Sequence, residues 1–140
     1  MIILDSNIWI AGYNQDDALH EEAVKQYLSL ENEVVYVPEY VWIEVSTVLE
    51  QKAKNNFGRD FLDIIEFGEN IQMLYFSQEE TKEFVEYYRA GAPKGLSFID
   101  ASLLLLSKKY TILTFDKKLK NAISEVKWYP QQDSNLRPLP

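Results

Sequence analysis

Four acidic side chains stand where the sequence is otherwise apolar. Asp5 directly follows the first apolar run of the chain, and Asp116 follows a later one. Glu44 and Asp100 each interrupt an apolar stretch that is typical of a buried helix. An unpaired buried carboxylate costs several kcal/mol or takes up a proton, and a divalent cation removes that penalty. The four acids together therefore predict a site for a hard cation such as Mg²⁺ or Mn²⁺, which prefers oxygen ligands.

The elements that must position these acids alternate between strands and helices. Apolar runs predict strands at residues 2–4, 34–37, 71–76, 111–115 and 126–129. Helical spacing and capping residues predict helices at 16–30, 38–54, 57–69, 77–89, 97–109 and 117–123. This alternation predicts an α/β fold, a single three-layer α/β/α domain with a mostly parallel central sheet. We expect the domain to cover residues 1–130 and to be followed by a mobile polar tail at 131–140.

The predicted sheet explains why acids so distant in sequence could meet. Ligands of open parallel sheets bind beyond the carboxyl ends of the strands, near the point where strand order reverses. Asp5 and Asp116 both follow strands, so they belong to that edge. Glu44 and Asp100 fall early in helices that begin at the same edge. We therefore expect all four carboxylates to converge on one pocket.

Each acid also has an ordinary structural interpretation. Asp5 could cap a following helix turn, and Asp116 could cap the helix that begins at Lys117. Asp100 lies three residues after Ser97, which is the spacing of a capping box. Glu44 could be a salt-bridged acid on a half-exposed helix face. Four independent roles of this kind would not predict a common edge, which favours the shared pocket.

Composition excludes several classes of site and suggests a charged ligand. The chain has no cysteine and one histidine, His20, which excludes thiolate metal sites, cysteine nucleophiles and paired-histidine mechanisms. The net charge is −8, but residues 1–88 carry 18 acidic and 5 basic side chains, whereas residues 89–127 carry 8 basic and 3 acidic ones. Such asymmetry indicates that the basic part binds an anionic ligand or that a charged partner is bound.

Four short segments resemble the acidic signatures of PIN domains. They are residues 3–7 (Ile-Leu-Asp-Ser-Asn), Glu44, residues 97–101 (Ser-Phe-Ile-Asp-Ala) and residues 113–116 (Leu-Thr-Phe-Asp). Their spacing is similar to that of VapC-type toxins of bacterial toxin–antitoxin pairs, over about residues 1–129. The resemblance implies a three-layer α/β/α fold, dependence on Mg²⁺ or Mn²⁺, and cleavage of RNA phosphodiester bonds. It also implies a homodimer and a small antitoxin protein as partner.

The resemblance assigns roles residue by residue. Asp5 and Asp100 match the acids most directly tied to the metal ion. Glu44 and Asp116 match the other two acids of the pocket, so all four are expected to be catalytic and metal-binding. Two polar positions that usually support such acids through hydrogen bonds are matched by Asn7 and Thr114.

The expected chemistry is metal-assisted hydrolysis of RNA, which leaves a 5′-phosphate and a 3′-hydroxyl. Substrate contact should come from the basic part of the chain, first of all from Lys94 and Arg89. Lys94 lies in a glycine-bracketed loop, residues 91–95, just before the helix that carries Asp100. An ordinary solvated lysine is the alternative for Lys94. The remaining basic candidates are Lys108, Lys109, Lys117, Lys118 and Lys120. For the last three, an ordinary solvated helix face is the favoured alternative.

Two other functions remain open from the residues. One is another metal-dependent phosphohydrolase on a similar scaffold. A haloacid-dehalogenase-like enzyme would need an aspartate where Asn7 stands, and a receiver domain would need paired acids on the first strand. The other is a non-catalytic module that binds RNA or a protein through its charged parts. Such a module should be indifferent to Mg²⁺, whereas a metal-dependent nuclease should be stabilised by it.

The sequence favours a protein of the cytoplasm. No segment reaches the 18 apolar residues of a membrane-spanning helix. The first residues have no basic lead and reach Asp5 at once, unlike a signal peptide. We therefore expect no association with a membrane.

Overall fold

The computed structural model describes residues 1–52 and 56–128 and contains a parallel four-stranded sheet. Its strands are β1 (Ile2–Leu4), β2 (Val35–Pro38), β3 (Ile71–Leu74) and β4 (Thr111–Leu113). They lie in the order β3-β2-β1-β4, and every neighbouring pair is parallel. Strands β1, β2 and β3 lie side by side in chain order, and β4 pairs with the other side of β1. The strand order therefore reverses between β1 and β4, where such sheets bind ligands.

Helices cover both faces of this sheet, which confirms the predicted three-layer α/β/α fold. In the described parts of the chain they are α1 (Ser6–Tyr13), α2 (His20–Leu28), α3 (Glu39–Lys52), α4 (Phe57–Phe67), α5 (Gln78–Glu86), α6 (Phe98–Leu106) and α7 (Lys117–Glu125). A π-helical segment, Tyr87–Gly91, continues α5. None of the helices within 1–52 and 56–128 is both long and apolar enough to cross a membrane.

Two predictions about the elements need correction. The first predicted helix, 16–30, is shorter, and an additional helix, α1, begins directly after Asp5 because that side chain caps it. The predicted strand at 126–129 is wrong for residues 126 and 127, which lie in no strand, and Trp128 forms only an isolated bridge. Residue 129 and the predicted tail at 131–140 lie outside the described residues.

The core holds the central strands and α6 rigidly beside the sheet edge. Ile3 and Leu4 of β1 are completely buried, as both faces of a covered parallel sheet require. Leu103 and Leu104 of α6 are also completely buried. Since α6 is apolar on nearly every side, burial fixes its position, and with it the position of Asp100 near its first turn.

Gly58 allows α4 to pack closely against α3. A Cβ at Gly58 would lie 2.5 Å from the backbone oxygen of Ser46 and would also overlap the side chain of Glu50. We expect Gly58→Ala to lower the free energy of unfolding by about 1–3 kcal/mol, because the helices must move apart. Urea denaturation measures this change.

Gly12→Ala is the matched control for this prediction. A Cβ at Gly12, which is also helical, would lie 4.0 Å from the Cβ of Ala23, an ordinary contact. Alanine favours a helix over glycine by up to about 1 kcal/mol, so this variant should be as stable as the wild type or more so. Equal stability of the two alanine variants would contradict the close packing at Gly58.

Candidate active site

Asp5 lies at the point where the strand order reverses. Its backbone N–H donates to the carbonyl oxygen of Leu113 at 2.8 Å, which joins the ends of β1 and β4. Its Oδ1 accepts from the backbone N–H of Ser6 at 2.7 Å and so caps α1. The residue is 3% exposed. The capping role and the pocket position, considered as alternatives from the sequence, are therefore combined in one side chain.

Thr114 and Asn7 complete a hydrogen-bond network around Asp5. The Thr114 hydroxyl donates to Oδ2 of Asp5 at 2.7 Å and accepts from Nδ2 of Asn7 at 3.2 Å. The same hydroxyl accepts from the backbone N–H of Asp116 at 3.0 Å. Oδ1 of Asn7 accepts from the backbone N–H of Phe115 at 3.2 Å. The structure thus brings both predicted supporting residues onto Asp5, and they tie the start of α1 to the segment after β4.

Asp116 also combines a helix cap with a place at this edge. Its Oδ1 accepts from the backbone N–H groups of Lys118 at 2.8 Å and Leu119 at 3.3 Å, at the start of α7. Through its own backbone N–H it is joined to Thr114, which in turn holds Asp5. The chain segments after β1 and β4 therefore bring two of the four predicted acids to one place.

Glu44 on α3 and Asp100 on α6 interact electrostatically with Asp5. Asp100 is in the first turn of α6, where its backbone N–H donates to the Ser97 hydroxyl at 3.1 Å. Both carboxyl groups are half-buried. The negative charges of Asp5 and Asp100 raise the pKa of Glu44. The charge of Asp100 raises the pKa of Asp5, and the charge of Asp116 raises the pKa of Asp100. The four predicted site acids therefore share one electrostatic environment.

Burial and mutual repulsion both favour the protonated forms of these acids. Burial is the largest cause that raises the pKa of Asp5, and hydrogen bonds from Thr114 and Ser6 lower it in part. Burial likewise raises the pKa of Glu44 and of Asp100, and the neighbouring carboxylates raise both further. A cation among these groups would reverse this effect, because it favours the charged carboxylates.

Ser6 is a site residue that the sequence did not indicate. Its hydroxyl lies 3.3 Å from Oδ1 of Asp5, to which it donates. Hydrogen bonding by the same side chain lowers the pKa of Glu44. Ser6 therefore lies between two of the acids. The available signal was a hydroxyl next to an acid at a helix start, but its approach to Glu44 depends on how α1 packs on α3.

Among the basic candidates, the exposed Lys118 interacts with the site. Lys118 is the cation that acts on the site: its charge lowers the pKa of Asp100, and its Nζ donates to the carbonyl oxygen of Gly95 at 3.4 Å. Lys94 and Arg89, the preferred candidates from the sequence, are exposed. In the part of the chain that the structure describes, neither forms an ion pair with any of the four acids.

The donor groups suit a hard divalent cation in kind and in charge. All four are carboxylates, and within 1–52 and 56–128 no ion pair balances any of them. In those ranges no three acidic or histidine side chains are arranged to hold an ion as they stand. The fit to Mg²⁺ or Mn²⁺ therefore rests on the oxygen donors and on the unbalanced charge, and not on a preformed cage.

The Thr114 hydroxyl should be needed for stability as well as for the position of Asp5. We expect Thr114→Val to lower the free energy of unfolding at pH 7 by about 1–3 kcal/mol, because it leaves buried polar groups without partners. Thr114→Ser keeps the hydroxyl and is the matched control. Urea denaturation compares the two variants. A valine variant as stable as the serine variant would contradict the network described above.

Comparison with solved structures shows a similar fold. The crystal structure of Mycobacterium tuberculosis VapC20, a sarcin–ricin loop cleaving toxin, matches with a TM-score of 0.73 at 21% sequence identity. The match covers 87% of this chain and 95% of that one. No match was found among curated proteins. The family model of the PIN domain matches residues 2–123, a range that includes all four acids. The chain therefore belongs to the PIN domain family.

Proposed function

We propose that this protein is an endoribonuclease that hydrolyses RNA phosphodiester bonds with Mg²⁺ or Mn²⁺ as cofactor. The observation that carries the proposal is the hydrogen-bond network that joins Asp5 and Asp116 through Thr114. Glu44 and Asp100 interact electrostatically with these acids, and among the described residues none of the four forms an ion pair. Membership of the PIN family and the likeness to a VapC toxin support this assignment. On this proposal, the protein is the toxin of a toxin–antitoxin pair.

Asp5 and Asp100 would be the main ligands of the cation, and Glu44 and Asp116 would complete its surroundings. Such an ion, when bound, lowers the pKa of a water molecule and stabilises charge on phosphate oxygens. The bonds from Ser6 and Thr114 hold both oxygens of Asp5 in a fixed orientation. His20 instead contacts the carbonyl oxygen of Ala11 through Nδ1 at 2.7 Å. The chain has one histidine, which excludes a mechanism that needs two histidines of the same chain. In-line hydrolysis would leave a 5′-phosphate and a 3′-hydroxyl.

The basic side chains at the rim would hold the RNA backbone. Lys118 already lies near Asp100, and Lys94 and Arg89 are exposed and free to reach phosphates of a longer strand. A small antitoxin protein and a second copy of the chain are the partners we propose, in the cytoplasm. Exposed apolar side chains that line one groove, among them Leu28 at 66% and Ile64 at 42%, support the existence of such an interface.

A second candidate is a non-catalytic module that binds RNA or protein. The absence of a preformed cage in the described part of the chain favours it. The two functions differ in their response to metal ions and in their effect on RNA.

The test is incubation of the purified protein with a mixed RNA pool, in Mg²⁺ and in EDTA, beside a DNA pool of similar lengths. The proposed nuclease fragments RNA in Mg²⁺ and leaves it intact in EDTA. RNA that is bound but remains intact in both buffers would support the binding module instead.

A further inference from the structure

Next to the acidic site, an aromatic pair reaches the surface. We infer that Tyr88 and Phe98, here called the stacking platform, hold an unpaired base of the RNA substrate. This inference rests on the proposed function, since it places the base beside the acids that would cleave the strand. Tyr88 and Phe98 would be positioning residues that act on binding and register.

The stacking platform is the outer end of a row of rings that begins in the core. The Tyr88 and Phe98 ring centroids are 5.4 Å apart, with planes at 78°. Phe98 contacts Tyr40 at 5.3 Å, and Tyr40 contacts Phe84 at 5.9 Å. Phe84 is only 5% exposed, whereas Tyr88 is 44% exposed. The buried rings therefore support the outer pair, which leaves Tyr88 available to a ligand.

Two rings of this row lie on the same helices as two of the acids. Phe98 is the first residue of α6, and Asp100 follows it within the same turn. Tyr40 precedes Glu44 by four residues in α3, so the two side chains lie on one face of that helix. A base stacked on the platform would thus lie beside α3 and α6, the helices that carry Glu44 and Asp100.

The backbone that carries Tyr88 has an unusual and well-packed form. Tyr88 lies in the π-helical segment Tyr87–Gly91, which the backbone N–H of Ala92 closes by donating to Tyr87 at 2.7 Å. Such segments are rare and often mark functional sites. A Cβ at Gly91 would come within 2.9 Å of the Tyr87 ring, so the segment ends in close contact with its own start. Tyr88 is therefore presented on a defined turn.

The charge around the platform fits a nucleic acid strand. Arg89 follows Tyr88 directly and is exposed, and Lys94 lies on the exposed loop that leads into α6. Aromatic rings that stack bases next to cations that contact phosphates are how proteins bind single strands. Paired bases have their faces covered by their neighbours, so the platform selects an unpaired nucleotide.

The test measures binding apart from cleavage. The Asp100→Asn chain, which should not cleave, is titrated with a labelled single-stranded RNA oligonucleotide and followed by fluorescence anisotropy. In this background, Tyr88→Leu should raise the Kd about tenfold, and Tyr88→Phe should leave it nearly unchanged because the ring remains. The control is Phe67→Leu, which should leave the Kd unchanged. Phe67 is an exposed aromatic residue at the end of α4, just before β3 begins, and so lies at the edge of the sheet opposite to the acids.

A second oligonucleotide series locates the base. Each member lacks one base, and at a single position this loss should also raise the Kd about tenfold. Tyr88→Leu should add nothing further at that position, because both changes remove the same contact. If RNA binds as described and the wild-type chain cleaves no RNA, the platform stands and the proposed function fails. An unchanged Kd for Tyr88→Leu, or an equal loss in Tyr88→Phe, overturns the platform.

Discussion

Asp100→Asn is expected to reduce RNA cleavage by about 10³-fold or more, since several kcal/mol of charge stabilisation at the phosphate would be lost. The substitution keeps the size of the side chain and leaves the backbone bond from Asp100 to Ser97 in place. The fold should therefore remain intact. Rates of cleavage of one RNA substrate in Mg²⁺ measure the effect, and thermal unfolding in EDTA confirms folding.

Asp63→Asn is the matched control for this substitution. Asp63 is an exposed acid of α4, and its loss changes the net charge by the same amount. The Asp63→Asn chain should cleave RNA at the wild-type rate. Asp5→Asn should also abolish cleavage, but its effect is harder to interpret. Its amide would face the Thr114 hydroxyl, which already accepts from Asn7 and Asp116. An Asp100→Asn chain that cleaves as fast as Asp63→Asn would contradict the catalytic role of Asp100.

The second large effect concerns stability without a metal ion. The pKa of Asp5, Glu44 and Asp100 is raised in the folded chain, above all by burial. A carboxyl of this kind binds its proton more tightly when folded, so its favourable contribution is fully present below the unfolded pKa of about 4 and is lost as pH rises through the folded pKa. The metal-free protein should therefore be more stable at pH 5 than at pH 7.5.

Mg²⁺ should reverse this loss, because it binds the folded chain and favours charged carboxylates. At 100 times its Kd, the stabilisation at pH 7.5 should be about 2.7 kcal/mol. Asp100→Asn should be more stable than the wild type in EDTA at pH 7.5 and should gain less from Mg²⁺. Urea denaturation at both pH values, with EDTA and with Mg²⁺, measures these differences, and Asp63→Asn again serves as control. Equal responses of Asp100→Asn and Asp63→Asn would show that the acids do not share a cation.

Most of the sheet could be predicted from the sequence, since its strands are short apolar runs between helices. Helix α1 could not, because Ile8, Trp9 and Ala11 are all buried and leave no polar face to reveal a helical period. The strand predicted at 126–129 is wrong for residues 126 and 127. Apolar residues at the end of α7, such as Val126, pack on the core without joining the sheet.

The positions of Asp5 and Asp116 could be predicted from the sequence because a general rule places residues that follow parallel strands. Residues that follow parallel strands, such as Asp5 and Asp116, meet at one edge whatever the loops do. Ser6 and Lys118 obey no such rule. Ser6 reaches Glu44 only because α1 packs on α3, and Lys118 reaches Asp100 only because α7 faces the loop at Gly95. These contacts are tertiary and carry no local signature.

The central claim is that one carboxylate site hydrolyses RNA with a metal ion, and the ends of the cleavage products test it most directly. Mass spectrometry of RNA fragments should show 5′-phosphate and 3′-hydroxyl ends after incubation with the wild-type chain in Mg²⁺. It should show no fragments in EDTA or with Asp100→Asn. Fragments that end in a 2′,3′-cyclic phosphate, or cleavage that persists in EDTA, would contradict the claim.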